Sequence, residues 1–195
     1  MSVQQTKRNG AWILGAVLVA ALAVVSPALA APSGNGSPAE RGGYLIFAGG
    51  CNDCHTPFKM GAHGPEPDMT RMLSGHPHDL VLPPPPKPEG PWIWFGAASN
   101  TAFAGPWGVS YSANLTPDPE TGLGSWDADT FVRAIRTGKH KGAGREILPP
   151  MPWPSMAKLT DEDLRAIFAF LQTIPAIRNP VPEPVIAPPP PPAKK

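Results

Sequence analysis

The sequence predicts a mainly α domain with Pro/Gly-rich loops, and three observations lead to this prediction. Helix-start signals, a proline or a capping residue ahead of a helical pattern, occur near residues 38, 125 and 160. The 195 residues include 29 prolines and 20 glycines, so the segments between these helices are expected to be largely irregular. The length corresponds to one domain with tails, and no internal repeat is present.

The composition excludes several classes of protein. The net charge is +1, whereas a nucleic-acid-binding domain carries a basic stripe. Two cysteines cannot form a disulfide framework or a four-sulfur zinc site. The proline and glycine content argues against a long helical bundle, a coiled coil or a polytopic membrane protein.

Residues 1–30 have the pattern of a secretory signal peptide. Two basic residues precede an apolar run of roughly fifteen residues at 11–25, and a small-x-small sequence follows at 28–30. A membrane-spanning helix needs about 20 apolar residues, so the run is short for an anchor. We expect export with cleavage after Ala30, followed by a flexible N-terminal segment at 31–37. An uncleaved anchor is the alternative.

The first part of the mature chain contains one predicted helix. It covers residues 38–49, because Pro38 suits a first helical turn and two glycines end the segment. Residues 51–82 show no regular hydrophobic period and are predicted to form loops with short turns. Residues 92–118, which are rich in Gly, Trp and Asn, are also predicted to be irregular.

Two further helices are predicted in the second part of the chain. Ser125 is expected to cap a helix that runs to Arg136 and is closed by Gly138. After a Pro-rich loop, Thr160 is expected to cap the last helix, with acidic residues in its first turn. The apolar residues of this last helix fall on one face: Leu164, Ile167, Phe168 and Leu171.

Two Pro-rich segments complete the predicted organisation. An insert at about 83–91 is expected to be stiff and polyproline-like. The tail at 180–195 is expected to be disordered because its composition cannot supply a packed core. The predicted domain therefore spans residues 38–179 and includes the insert.

The strongest motif is C-x-x-C-H at residues 51–55, which is the attachment signature for c-type haem. Thiols at Cys51 and Cys54, on a tight turn, can each form a thioether with one haem vinyl group. The adjacent His55 then offers its imidazole to the iron. Because the sequence contains one such motif, we expect one covalently attached haem c per chain, bound through Cys51, Cys54 and His55.

The same two thiols could serve three other kinds of site. A thioredoxin-like redox pair is expected within a βαβ pattern, whereas here a helix precedes the motif. A zinc site needs two further ligands, for which His76 and His78 are available. A disulfide across two residues would be strained and would leave His55 unexplained. The motif favours haem over all three.

The second axial position of the iron has one preferred candidate. A c-type haem with histidine on one side commonly takes methionine or histidine on the other. Met151 stands between prolines at 149, 150 and 152, and such a stiff loop can hold a thioether towards the iron at little entropic cost. Met156 is the next candidate. The remaining candidates after the motif are Met60, Met69, Met72, His63, His76, His78 and His140.

These features together resemble the class I cytochrome c family. Gly43 and Phe47 match the glycine and aromatic positions where that family's first helix crosses its last. Ile167 and Phe170 match the partner positions in the last helix. The resemblance implies a class I cytochrome c domain, and its Met-Pro loop carries the role of the distal iron ligand onto Met151.

A narrower resemblance covers residues 42–179. The segments 49–57, 73–76, 105–108, 114–118 and 150–154 are similar to bacterial periplasmic cytochromes that serve alcohol and aldehyde dehydrogenases as subunits or partners. The resemblance implies a periplasmic one-electron carrier that is not itself an enzyme. It also implies a dehydrogenase as donor, another cytochrome or a membrane oxidase as acceptor, and membrane association only through these partners. The alternative is a haem peroxidase or gas sensor with an open distal iron position.

The surroundings of the predicted haem are less determined by the sequence. Pro65 is a candidate for the carbonyl that accepts from the second ring nitrogen of His55, although a plain turn explains it equally well. Four aromatic residues either pack the haem edge or belong to the core: Trp107, Tyr111, Trp126 and Trp153. Basic residues within 130–145 either steer an acidic redox partner or form a solvated helix face.

Overall fold

The computed structural model describes residues 36–87 and 90–188. The predicted signal peptide and most of the predicted N-terminal segment lie outside these residues. Within them, the chain forms five α-helices: α1 (Pro38–Ala48), α2 (Cys51–His55), α3 (Ala128–Thr137), α4 (Trp153–Met156) and α5 (Asp161–Leu171). None of these helices is long and apolar enough to cross a membrane.

Helix α1 forms where the sequence predicts it. Ser37 and Glu40 cap it reciprocally: the Glu40 backbone N–H donates to Ser37 Oγ over 3.3 Å, and the Ser37 N–H donates to Glu40 Oε2 over 2.7 Å. Pro38 occupies the first turn, where its missing N–H removes no helical hydrogen bond. The helix ends at Gly49.

Helices α3 and α5 differ in how well the sequence predicts their starts. Helix α3 begins after Asp127, not Ser125, because the Asp127 carboxylate accepts from the Thr130 N–H over 2.7 Å. Gly138 closes α3 in the left-handed region, as predicted, with φ of 64°. Thr160 caps α5 as predicted, because its Oγ1 accepts from the Asp163 N–H over 3.1 Å.

Helices α1 and α5 cross at Gly42. A Cβ at this position would overlap the backbone carbonyl of Ala166, so the crossing requires glycine. Gly43 packs against the ring of Phe170, where a Cβ would lie 3.0 Å from the ring carbon Cδ2. Phe47, expected at the crossing, is 58% exposed, and the buried position one residue earlier is occupied by Ile46.

The core lies between α1, α3 and α5. All four apolar residues predicted to share one face of α5 are buried. They pack with residues from α1, α3 and the intervening loops: Ile46, Leu73, Leu123, Phe131, Val132 and Ile135. The amphipathic pattern of α5 therefore predicts its packing correctly.

Two antiparallel sheets replace much of the structure predicted to be irregular. Strands β1 (Phe58–Gly61) and β2 (Gly64–Pro67) form a hairpin within the segment predicted as loops. Four strands form the second sheet in the order β3-β4-β5-β6: β3 (Phe95–Gly96), β4 (Ala102–Gly105), β5 (Gly108–Tyr111) and β6 (Val185–Ile186). The prediction that residues 51–82 form loops is therefore wrong over α2, β1 and β2, and the prediction that residues 92–118 are irregular is wrong over β3, β4 and β5.

Residues 180–188, predicted as part of a disordered tail, have a defined path in the structure. Val185 and Ile186 pair with β5 opposite Val109 and Gly108. The preceding Asn179 is fully buried, and its side-chain Nδ2 donates to two backbone carbonyls. The rest of the predicted tail lies outside the described residues.

The Pro-rich insert lines a cavity beside the four-stranded sheet. Pro83 to Pro86 line this cavity, of about 510 Å³, together with Phe95, Phe103 and Val109 of the sheet. This cavity is apolar.

Candidate functional site

One cavity of about 550 Å³ brings the four predicted site residues together. Cys51, Cys54, His55 and Met151 all contribute to its lining. Two of the other distal-ligand candidates, Met156 and His140, line the same cavity. The remaining candidates contribute nothing to this lining: Met60, Met69, Met72, His63, His76 and His78.

The two thiols and the imidazole are displayed by the single short helix α2. Gly50 precedes it in the left-handed region, with φ of 67°, so that the chain turns sharply between α1 and α2. Thr56, the residue directly after α2, stabilises the helix, because its hydroxyl donates to Asn52 Oδ1 over 2.8 Å. The same hydroxyl oxygen accepts from the Leu73 N–H over 2.9 Å. These buried contacts hold the motif against the core.

The ring of His55 is oriented by a hydrogen bond to a residue that is distant in the sequence. Its Nδ1–H donates to the backbone carbonyl of Ala113 over 2.8 Å, and this fixes the tautomer because a carbonyl can only accept. Burial lowers the pKa of His55, so the ring is held neutral. Nε2 is therefore the nitrogen that offers an electron pair to a metal.

The carbonyl that accepts from His55 differs from the one expected. Pro65, the candidate from the sequence, lies in β2, and the accepting carbonyl belongs to Ala113. Every residue carries a backbone carbonyl, so the sequence contains no signal that distinguishes Ala113.

The environment of the two cysteines disfavours a redox dithiol. Cys51 and Cys54 are not joined by a disulfide. Burial raises the pKa of Cys51 to about 11 and also raises the pKa of Cys54. Redox-active C-x-x-C pairs instead have a cysteine with a lowered pKa.

A zinc site is also disfavoured within the described parts of the chain. His76 is engaged at both ring nitrogens, with Thr101 Oγ1 at 2.9 Å and the Leu80 carbonyl at 3.1 Å. His78 contacts Asn179 Oδ1 through Nδ1 at 3.2 Å. Across residues 36–87 and 90–188, no group of three metal-binding side chains gathers.

The loop that carries Met151 is anchored on both sides. Upstream, the Ser110 hydroxyl donates to the Pro149 carbonyl over 2.6 Å. Downstream, the Arg136 guanidinium donates to the carbonyls of Ala157 and Leu159. Met151 is thus held between the sheet on one side and α3 on the other.

The four aromatic candidates divide into two pairs. Tyr111 and Trp126 line the cavity. Trp107 donates from Nε1 to Ser110 Oγ over 3.3 Å, and Trp153 packs over Gly138 at the end of α3. Trp107 and Trp153 therefore support the loops around the cavity from outside its lining.

Most of the basic residues within 130–145 are exposed, and Arg136 is partly buried. Arg136 is bound by the backbone of the following segment, and Arg145 forms an ion pair with Glu183 at 3.3 Å. Lys141, Arg145 and Glu183 all line the cavity. The charges at this side of the cavity are therefore mixed.

The residues present fit a haem group. Both thiols and the imidazole come from one helix and face one cavity. Its volume is within the range of about 300–1,000 Å³ usual for small-molecule sites. Much of the wall is apolar: Ile46, Leu115, Phe131, Ile135, Ile167 and Leu171. Such a wall suits a flat, largely apolar ring.

A C-x-x-C-H helix and a proline-flanked methionine on one cavity define a class of protein, the domains that attach haem through thioethers. A sequence profile for cytochrome c matches residues 39–175. The chain belongs to the cytochrome c family, whose members bind haem c covalently and transfer electrons.

Several relatives of this chain are subunits of dehydrogenases. A nicotinate dehydrogenase subunit of Pseudomonas putida is 31% identical over 91% of this chain and 13% of its own length. The gluconate 2-dehydrogenase cytochrome c subunit of Pantoea cypripedii is 33% identical over 73% of this chain and 24% of its own length. The cytochrome c subunit of the quinone alcohol dehydrogenase of Gluconobacter oxydans is 31% identical over 67% of this chain and 20% of its own length. The chain thus matches a quarter or less of each of these relatives.

Proposed function

We propose that this chain is a periplasmic monohaem cytochrome c that carries single electrons from a dehydrogenase to a downstream acceptor of the respiratory chain. The observation that carries the proposal is the convergence of Cys51, Cys54, His55 and Met151 on one cavity. The proposed domain is residues 38–179, preceded by an export signal that is cleaved after Ala30.

The cavity and the motif support one ligand set. Cys51 and Cys54 would form the two thioethers, and His55 Nε2 and Met151 would hold the iron. Haem c, when bound, supplies an iron that alternates between the ferric and ferrous states by one electron. Met156 and His140 share the cavity, and the flanking prolines are the reason to prefer Met151 over them.

The chain's own residues prepare the site for electron transfer. The Ala113 carbonyl keeps His55 in one tautomer and increases its basicity as a ligand. The apolar wall limits the access of water, and burial together with a methionine ligand favours a higher reduction potential. No group in this arrangement has to bond or cleave a substrate.

The proposed partners come from the relatives. The names of two relatives describe cytochrome c subunits of gluconate and alcohol dehydrogenases, which supports a dehydrogenase as the electron donor. Another cytochrome or a membrane oxidase is the proposed acceptor. One C-x-x-C-H motif in the sequence supports one haem per chain.

The spectrum of the purified, exported protein tests this proposal. We expect one c-type haem per chain in a pyridine haemochrome assay, a Met-to-iron charge-transfer band in the oxidised form, and no response to carbon monoxide in the reduced form. Ready binding of carbon monoxide without that band would contradict the proposal and indicate an open iron position, as in a peroxidase or a gas sensor.

Substitution of the two methionines in the cavity tests the distal ligand. Met151→Ala should abolish the charge-transfer band, lower the potential and allow carbon monoxide to bind. Met156→Ala is the matched control. It should keep the charge-transfer band and the wild-type potential, and it should not bind carbon monoxide. The reverse result would assign the distal position to Met156.

A further inference from the structure

Strand β5 and the residues directly after it contact both sides of the proposed haem site. At one end, Ala113 accepts the hydrogen bond from His55 Nδ1. Three residues earlier, Ser110 donates to the carbonyl of Pro149, two residues before Met151. One extended segment therefore supports the elements that carry the two proposed iron ligands.

This segment is itself held in the fold. Ser110 on β5 pairs with Phe103 on β4. Beyond β5, the Ser112 N–H donates to the Thr101 carbonyl over 2.8 Å, and the Ser112 carbonyl accepts from the His76 N–H over 2.9 Å. Ser110 and Ala113 thus occupy fixed positions relative to each other.

The Ser110 hydroxyl has a defined direction. It is buried, and its single proton can go to the Pro149 carbonyl at 2.6 Å or to the Phe103 carbonyl at 3.4 Å. The shorter distance assigns the proton to Pro149. The hydroxyl oxygen accepts from Trp107 Nε1 over 3.3 Å. The result is a relay from Trp107 through Ser110 to the Met151 loop, in which each hydrogen bond polarises the next.

Residues 149–152 have few backbone donors of their own. Prolines at 149, 150 and 152 carry no N–H, so Met151 contributes the one backbone donor between residues 149 and 152. That donor is used locally, on the Leu148 carbonyl at 3.3 Å. On the upstream side of Met151, the connection to the sheet therefore depends on acceptors such as the Pro149 carbonyl.

We propose that Ser110 is a positioning residue for Met151, which holds the proposed distal ligand in place through the Pro149 carbonyl. This proposal rests on the proposed ligation by Met151. Loss of the hydroxyl should shift the equilibrium between methionine bound to the iron and methionine released towards release, by about tenfold for one buried hydrogen bond.

Competition by imidazole for the sixth position of the ferric haem measures this equilibrium. For Ser110→Ala in the haem-loaded protein, we expect the apparent dissociation constant of imidazole to fall about tenfold. The charge-transfer band should also weaken, and the reduction potential should fall. Ser110→Thr keeps a hydroxyl and should restore wild-type values. Ser155→Ala, on the exposed surface of α4, is a matched control that should not change imidazole binding.

The outcomes separate this proposal from the function on which it rests. If Met151→Ala frees the sixth position and Ser110→Ala leaves imidazole binding unchanged, the positioning role of Ser110 is wrong and the proposed ligation stands. If Met151→Ala changes nothing, both are wrong. Should Ser110→Ala fail to fold, Trp107→Phe provides a second test, because it removes the donor to Ser110. Imidazole should then bind more tightly than in the wild type, as expected for Ser110→Ala. An unchanged affinity in that variant would overturn the relay.

Discussion

Gly42 on α1 packs directly against the backbone carbonyl of Ala166 on α5, with no room between them for a Cβ. This contact connects two parts of the candidate site. Helix α1 leads into the helix that displays Cys51, and α5 follows the segment that carries Met151. The crossing of the two helices therefore determines how the motif and the methionine loop approach each other.

Gly42→Ala should destabilise the protein strongly. The new Cβ would overlap a backbone atom that cannot rotate away, so the helices must separate. We expect the free energy of unfolding to fall by about 2 kcal/mol or more, which outweighs the gain of about 1 kcal/mol from alanine's helix propensity. Gly43→Ala is the matched control, because its Cβ would meet a ring that can shift. Urea unfolding of the haem-loaded proteins gives both values, and equal losses would contradict the crossing geometry.

Arg136 should stabilise the protein through backbone carbonyls more than through its ion pair. Its guanidinium donates to the carbonyls of Ala157 and Leu159, whereas its carboxylate partner Asp161 is largely exposed. Arg136→Gln should therefore cost about 2 kcal/mol of unfolding free energy. Asp161→Asn should cost less than about 1 kcal/mol, because exposed ion pairs are screened by water. Chemical unfolding measures both, and a larger loss from Asp161→Asn would reverse this ranking.

Helices α1, α3 and α5 could be predicted from sequence because their signals are local, whereas α2 and α4 lie in or overlap segments predicted as loops. Pro38 and Thr160 indicate helix starts from only a few adjacent residues. The spacing of Cys51, Cys54 and His55 directly indicates covalent attachment of haem. The placement of Met151 in the same cavity agrees with the resemblance that singled it out. Even here the cap of α3 shifted from Ser125 to Asp127, because several polar residues at a helix start compete for the same N–H groups.

Strands β1 and β2 and strands β4 and β5 pair locally, whereas β3 and β6 carry no local signal that could predict them. Strands β3 and β6 have two residues each, too few for an alternating pattern, and β6 is paired with a strand more than 70 positions earlier. The Ala113 carbonyl is equally invisible, since its role depends on where the fold brings His55. A residue that acts through its backbone cannot be recognised from the identity of its side chain.

His76 should make stability dependent on pH. Burial in the folded state lowers the pKa of His76 below its ordinary value of 6.5. The unfolded chain therefore binds a proton at a higher pH than the folded chain does, and the free energy of unfolding rises with pH across that interval. As pH falls below about 6.5, this contribution to stability is lost.

Comparison of variants isolates the contribution of His76 from that of the haem ligands. Urea unfolding between pH 5 and 8 should show a shallower pH dependence for His76→Gln than for the wild type. His63→Gln, at an exposed position, should keep the wild-type slope. The same slope in the wild type and His76→Gln would show that another group causes the pH dependence.

Asn179 should be essential for the ordered path of the chain after α5. Its side chain is fully buried: Nδ2 donates to the carbonyls of Ser74 and His76 over 2.7 and 2.9 Å, and Oδ1 accepts from the His78 N–H over 3.0 Å. Asn179→Ala would leave these groups without partners, at an expected cost of about 3 kcal/mol in unfolding free energy. Gln172→Ala is the control, because its amide is exposed and makes one long hydrogen bond of 3.5 Å.

In hydrogen exchange, Asn179→Ala should also lose protection at the N–H of Ala187, which donates to the Trp107 carbonyl beside β6. Retained protection there would mean that the β5–β6 pairing, and not Asn179, fixes this segment.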